Sequence, residues 1–229
     1  MPRLFLIELF AGTRSVSKAV RRSSIGRAFD DFRLLSVDVD PKFQPTVCAD
    51  INRWDCKSAL DTFLADRTRS DVVVVHASPP CTEFSIALTT RPRNLRAGSK
   101  NVKTALQIID CAAPSFWIIE NPATGHLKDL PFMRKLERYK NTTCYCKWGF
   151  RYRKPTNIWT NLEDLQLPMC SSKTPCPQRR AHGRHLCTAQ SGHSPDGFSI
   201  GSGRAELVYG LPPKLVRHLF RAGLSSVSR

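Results

Sequence analysis

The chain has 229 residues, 41% of them apolar, which suits one sizeable α/β domain with a small appendage and argues against wholesale disorder. Lys and Arg number 35 against 19 acids, a formal charge of +16, and so large an imbalance points to a polyanionic partner, most often nucleic acid. No apolar run approaches the length of a membrane span, the start Leu4-Phe5-Leu6-Ile7 is too short for a signal peptide, and the nine cysteines show no framework of pairs.

In chain order, Leu4 to Leu9 reads as a first strand. Ala11-Gly12-Thr13 reads as a turn, and Ser15 is placed to cap a helix from Val16 to Arg21. Leu34 to Val39 is a second strand and Thr46 to Cys48 a short third, each followed or ended by acids. A helix from about Lys57 to Leu64 leads to the buried strand Val72–Val75. A basic loop, Arg91 to Lys103, then precedes a helix around Thr104–Cys111. Phe116 to Ile119 is another buried strand, running into Glu120-Asn121-Pro122. Strands alternating with helices predict a doubly wound, mostly parallel sheet, whose ligands bind beyond the carboxyl ends of the strands. Gly12, Asp38, Asp50, Cys81 and Glu120 all fall at such ends.

After residue 140 the character changes. Thr143–Phe150 and Thr156–Thr160 suggest a hairpin around Arg151-Tyr152-Arg153-Lys154-Pro155. Residues 168–203 are rich in Pro, Gly, Ser, Cys, His and Arg, with little periodicity. Pro212-Pro213 opens a last helix with Leu215, Val216, Leu219 and Phe220 on one face. The expected organisation is a catalytic and cofactor-binding domain over 1–140, a hairpin with a small irregular recognition region over 141–203, and a returning helix over 204–229.

The chemistry centres on Cys81, held after Pro79-Pro80 at the end of the buried strand. A thiolate there has a fixed aim. Glu120 stands at the end of a second buried strand, where a carboxyl group is placed to share a proton with a substrate nitrogen. Carbon 5 of cytosine is a poor nucleophile. Adding sulfur at carbon 6 breaks the ring's aromaticity and makes carbon 5 enamine-like, and a proton at ring nitrogen 3 eases that addition. A cysteine and a carboxylate on facing loops would do both jobs.

With these residues in order, the chain resembles the cytosine-5 DNA methyltransferases. Phe10-Ala11-Gly12 matches their first cofactor motif, and Asp38 and Asp50 match the acids of the next two. Pro79-Pro80-Cys81 with Phe84-Ser85 matches the nucleophile motif, Glu120-Asn121 the Glu-Asn motif, and Arg151-Tyr152-Arg153 the Arg-x-Arg motif. The helix from about Arg204 resembles the last motif, which packs beside the first. The resemblance implies a Rossmann-like fold and S-adenosylmethionine as donor. It implies cofactor contacts from Phe10, Ala11, Gly12, Thr13, Ser15, Asp38, Val39, Asp50, Ile51 and Pro79. Cys81 would be the nucleophile, Glu120 would contact ring nitrogen 3 and the exocyclic amine, and Asn121 would order the loop. Arg151 and Arg153 would hold the base or the carboxylate in place. The target cytosine would be flipped out of duplex DNA by a monomeric enzyme. Pro122 stands where the family often has valine, Phe150 where it has glutamine, and Thr13-Arg14-Ser15 where its turn is richer in glycine. The interval between Arg153 and the last motif is short, so few bases can be read.

Two basic groups suit nucleic acid. Ser85, Arg91, Arg93, Arg96 and Lys100, with Lys103, follow the nucleophile, with Gly98 and Ser99 read as giving a closing loop its flexibility. Arg179, Arg180 and Arg184 lie in the recognition segment, near Cys170, Cys176, His182, His185 and Cys187. These residues offer a zinc site, with Cys170, Cys176, His182 and Cys187 as the expected set and Cys144 and Cys146 able to join it, but the spacing lacks the tight C-x₂-C pairs of strong zinc motifs, and unliganded thiols are the favoured reading. The same chemistry on RNA, or an inactive nucleic-acid-binding relative, are the alternative functions. The expected location is intracellular, the nucleus in a eukaryote and otherwise the cytoplasm.

Overall fold

The computed structural model describes residues 2–185, 187–188 and 209–227. Five strands form the parallel part of its main sheet: β1 (Leu4–Leu9), β2 (Phe32–Asp38), β3 (Val47–Cys48), β4 (Val72–Ala77) and β5 (Phe116–Pro122). Two more, β6 (Lys140–Cys144) and β8 (Pro155–Thr160), complete a seven-stranded sheet of order β3-β2-β1-β4-β5-β8-β6, with β8 antiparallel to both of its neighbours. The short β7 (Tyr152–Arg153) and β9 (Cys187–Thr188) form a separate parallel pair.

Successive residues of β1 and β4 face opposite sides of the sheet, and both sides are covered, so these strands are apolar without alternation. On one side Leu4, Leu6, Val72, Val74, Phe116 and Ile118 meet α1 (Ser15–Arg21) and the last helix, α7 (Pro213–Val227). On the other, Phe5, Ile7, Val73 and Val75 meet α3 (Cys56–Phe63) and α4 (Leu95–Ala112). The smaller helices are α2 (Ser24–Arg27), α5 (Pro131–Arg134) and α6 (Pro177–His182). A β-carbon at Gly223 of α7 would stand 2.6 Å from the Phe116 ring, so only glycine lets the helix sit this low on β5.

Three local expectations change. Ser15 does not cap α1; the N-cap is Arg14, in the left-handed region at φ 56°, and offers no side-chain bond. The buried Glu8 carboxylate accepts instead from the N–H groups of Val16 (3.1 Å) and Ser17 (3.2 Å). Ser15 Oγ accepts from Leu211 N–H and ties the approach to α7 onto α1. The basic segment 91–103 is not one loop: Asn94 caps α4 by accepting from Ala97 N–H, so Arg96, Lys100 and Lys103 ride on a helix. Gly98 serves packing, since a β-carbon there would meet Glu83 Cβ and Phe84 Cζ at 2.9 Å. The hairpin spans β6 and β8 within the main sheet, and most of Thr143–Phe150 belongs to the end of β6 and a 3-10 turn, Tyr145–Trp148. Residues 204–208, the start of the last motif, lie outside the described residues.

Candidate active site

The carboxyl ends of β1, β2, β4 and β5 open into two adjoining cavities that share Phe10 and Pro80. The turn after β1 is tight, with Phe10 at φ 55° and Gly12 at φ 46°. The second is a conformation that glycine adopts without strain. It aims Gly12 N–H at Asp38 Oδ2, 2.7 Å away, and Asp38 Oδ1 accepts from Asp40 N–H at 2.9 Å. Each of these oxygens keeps lone-pair capacity for a further donor. Asp50 accepts from the backbone N–H of Asn52 at 2.9 Å, and that bond, with a second from the Asn52 side chain, holds its carboxyl below the usual range.

The larger cavity encloses about 660 Å³ and is lined by Phe10, Asp38, Val39, Asp50, Ile51 and Lys100, among others. Val39 is 68% exposed there, an apolar side chain left uncovered beside two carboxylates. Apolar walls with a few fixed acceptors suit a flat heterocycle carrying sugar hydroxyls, so the residues present fit the adenosine part of S-adenosylmethionine. Ala11, Gly12, Thr13, Ser15 and Pro79 line the smaller cavity next to it.

The smaller cavity holds about 130 Å³ and is lined by Cys81, Glu120, Asn121, Lys154, Glu8, His76 and Ser78, among others. Asn121 donates through Nδ2 to the Pro79 carbonyl at 2.9 Å, pinning the segment that carries Cys81 to the end of β5. Glu120, 5% exposed, accepts from the Tyr145 hydroxyl at 2.9 Å, and Lys154 Nζ stands 3.9 Å from the same oxygen. Burial pushes the Cys81 thiol up; Lys154 pulls it back and Glu120 pushes it further. Ser78 Oγ, Asn121 Oδ1 and both His76 nitrogens are buried without a partner among the described residues. Such orphaned groups cost about 1–3 kcal/mol each and are expected where a polar ligand completes the set.

Beneath this wall, Glu8 and His76 are side-by-side partners in the β1–β4 register. Burial pushes Glu8 up to about 7 and His76 down to about 3, so each tends towards its uncharged form.

Arg151 and Arg153 do not line the cavity; Lys154 does. Neighbours along an extended chain point to opposite sides, and with β8 starting at Pro155 it is residue 154 that faces Glu120. Arg153 is exposed on β7, with its guanidinium beside Cys144. Tyr145 and Lys154 were missed because neither belongs to a recognisable motif; strand pairing and the 3-10 turn deliver them.

Arg91 pairs with Glu83 (Nη1 to Oε2 3.1 Å), and Arg93 donates to the Ser85 carbonyl at 2.9 Å. Arg96 and Lys100 are exposed on α4, and Arg180 and Arg184 on and just after α6, with Arg179 half-buried. A further cleft of about 530 Å³ gathers Arg27, Lys214, Arg217, His218, Arg221 and Trp148, with no carboxylate in its lining. Its signal was legible on α7, where basic residues at helical spacing lie opposite the apolar face.

The expected metal set is corrected. His182 is exposed at the end of α6, and the Cys187 side chain lies outside the described residues. The ligand atoms of Cys146, Cys170, Cys176 and His185 converge instead, all within 4.8 Å of one another.

The mostly parallel sheet with its antiparallel edge strands, the glycine turn and the cavities at the strand ends define a Rossmann-like α/β fold. Over 240 aligned positions the chain is 28% identical to a "Probable DNA (cytosine-5)-methyltransferase" of Frog virus 3 (isolate Goorha), covering 93% of this chain and 97% of that protein. Among solved structures, the Entamoeba histolytica methyltransferase EhMeth matches with a TM-score of 0.52 at 14% identity, over 75% of this chain and 58% of its own. A variant of Spodoptera frugiperda DNMT2 matches with a TM-score of 0.42 at 15% identity, over 73% of this chain and 53% of its own. The chain thus spans little more than half of these two structures, and the first likeness supports the fold. No protein-family model matches the chain. Among the described residues no helix is long and apolar enough to cross a membrane.

Proposed function

We propose that this protein is a DNA (cytosine-5)-methyltransferase. The observation that carries the reading is the convergence of Cys81, Glu120 and Lys154 on one small cavity adjoining a cleft fitted to an adenosine. Bound S-adenosylmethionine would supply an electrophilic methyl group, held by Phe10, Asp38, Val39, Asp50 and Ile51.

The chain's own residues prepare the base. A cytosine flipped from the duplex enters between Cys81 and Glu120, since its ring faces are blocked while it is stacked. Sulfur bonds to carbon 6 as the thiol loses its proton and ring nitrogen 3 gains one, with the Glu120 carboxyl as the relay. Lys154 favours the thiolate and Tyr145 fixes the carboxylate oxygen. After carbon 5 is methylated, its hydrogen leaves as a proton to solvent; the carbon–sulfur bond then breaks as ring nitrogen 3 returns its proton through Glu120, which restores the aromatic ring and the Cys81 thiol. Asn121 keeps the nucleophile's backbone in place throughout. Arg96, Lys100 and the basic cleft on α7 would contact phosphates, which is where the excess positive charge finds its use.

The test is transfer of labelled methyl from S-adenosylmethionine to duplex DNA, with Cys81→Ser as the inactive control. Label in duplex DNA at cytosine carbon 5, lost in Cys81→Ser, supports the reading. Label in RNA alone would move the substrate to RNA, and label in neither would leave a nucleic-acid-binding relative without activity.

A further inference from the structure

We propose that Cys146, Cys170, Cys176 and His185 form a structural zinc site that fastens the recognition segment to the catalytic domain. Between residues 168 and 185 the buried residues are Cys170 and Cys176 alone. Over these described residues the segment has no apolar core of its own. Its interior is a cluster of sulfurs, with Cys144, Cys146, Cys170 and Cys176 each at most 2% exposed. Segments too small to bury a core are commonly stapled by a metal or by disulfides.

The geometry suits a metal. His185 Nε2 lies 3.5 Å from Cys170 Sγ and 3.2 Å from Cys176 Sγ. In a tetrahedral zinc site with Zn–S of about 2.3 Å and Zn–N of about 2.0 Å, ligand atoms sit roughly 3.5–3.8 Å apart. The four atoms here already approach that spacing, all within 4.8 Å of one another. Three thiolates and a neutral imidazole are a zinc-type donor set that leaves no position open, which makes the site structural. The surroundings match. Arg179 N–H points at Cys176 Sγ from 3.4 Å, the kind of outer hydrogen bond that steadies a metal thiolate. Arg153 and Arg179 place positive charge beside a centre whose net charge would be −1. All eight described cysteines are unpaired.

The site has a consequence for its neighbours. Cys146 follows Tyr145, whose hydroxyl holds Glu120, so the metal would anchor the turn that positions the carboxylate. The inference stands apart from the proposed reaction, because metal content is read without activity.

The experiment is zinc stoichiometry on the purified full chain, by native mass spectrometry and by release on titration with an organomercurial. Cobalt(II) substitution should give the intense visible bands of a tetrahedral thiolate-rich centre. One zinc per chain is expected, kept by Cys48→Ser, an exposed cysteine outside the cluster. His185→Ala should hold zinc at least tenfold more weakly, and Cys146→Ser and Cys170→Ser should lose it. If a cysteine variant fails to fold, the unmodified chain and His185→Ala decide. Protein that carries no zinc and binds no cobalt, a disulfide between any two of these cysteines in the native chain, or zinc held undiminished by His185→Ala would overturn the proposal.

Discussion

Lys154 Nζ stands 3.9 Å from Glu120 Oε1 across the β5–β8 pair, at the wall of the cavity that Cys81 also lines. The cation lowers the thiol pKa against the burial that raises it. Replacing Lys154 by Met removes that help, so the thiolate forms at higher pH. The ascending limb of kcat/KM against pH should move up, with activity at neutral pH reduced several-fold. Lys154→Arg should restore most of the profile. An unshifted limb in Lys154→Met would mean that the lysine does not act on the nucleophile.

Tyr145→Phe deletes one hydroxyl from a fully buried ring and takes its hydrogen bond from Glu120. A hydrogen bond to a charged partner is worth about 1.5–3 kcal/mol, so kcat should fall by roughly ten- to a hundredfold. KM for DNA should change little, because the bond acts on the carboxylate and not on the phosphates. Steady-state kinetics on one duplex substrate separate the two parameters.

Glu8 and His76 give opposite pH dependences of stability. Glu8 rises from an ordinary 4.5 to about 7 on folding, so its native form holds a proton that the unfolded chain gives up, and stability drains away as pH climbs from 4.5 to 7. His76 falls from 6.5 to about 3, so the unfolded chain takes a proton that the native one refuses, and stability drains away as pH drops from 6.5 to 3. Between 4.5 and 6.5 the two slopes oppose each other. Glu8→Gln should therefore unmask a stability that increases with pH across this window, and His76→Gln one that decreases, by up to about 3 kcal/mol in each case. Urea unfolding at several pH values measures both, and parallel curves for the two variants would contradict the assignment.

The basic cleft on α7 predicts a purely electrostatic phenotype. Replacing Arg217 and Arg221 together by Ala should weaken binding to duplexes of any sequence and leave kcat unchanged. The slope of log affinity against log salt should flatten by about 2, near 0.9 for each lost phosphate contact. Fluorescence anisotropy across a salt series reads this directly.

The parallel half of the fold was legible because β1, β4 and β5 open with apolar runs, Leu4–Ile7, Val72–Val75 and Phe116–Ile119, and because Gly12, Asp38, Cys81 and Glu120 fall at or just beyond strand ends. A strand buried on both sides announces itself without knowledge of its neighbours. The start of α4 was not legible, since Pro92, Gly98 and Ser99 read locally as loop, while the packing of Gly98 on Phe84 that demands a helix is a tertiary fact. Lys154 hid behind the adjacent Arg-x-Arg pattern, and which neighbour faces the cavity depends on where β8 begins. The sulfur cluster was visible as a pool of candidates, Cys170, Cys176, His182, His185 and Cys187 with Cys144 and Cys146 able to join them, but which four converge depends on a turn before β7 that no local spacing fixes.

The central claim is that Cys81 attacks carbon 6 of a cytosine whose carbon 5 then takes the methyl group. A duplex carrying 5-fluorocytosine at the methylated position tests it, because fluorine cannot leave as a proton does and the adduct stays closed. Digestion and mass spectrometry should then find the methylated fluorocytosine attached to the peptide containing Cys81, and no attachment in Cys81→Ser. Methyl transfer that persists in Cys81→Ser, or an adduct on any other residue, would contradict the account.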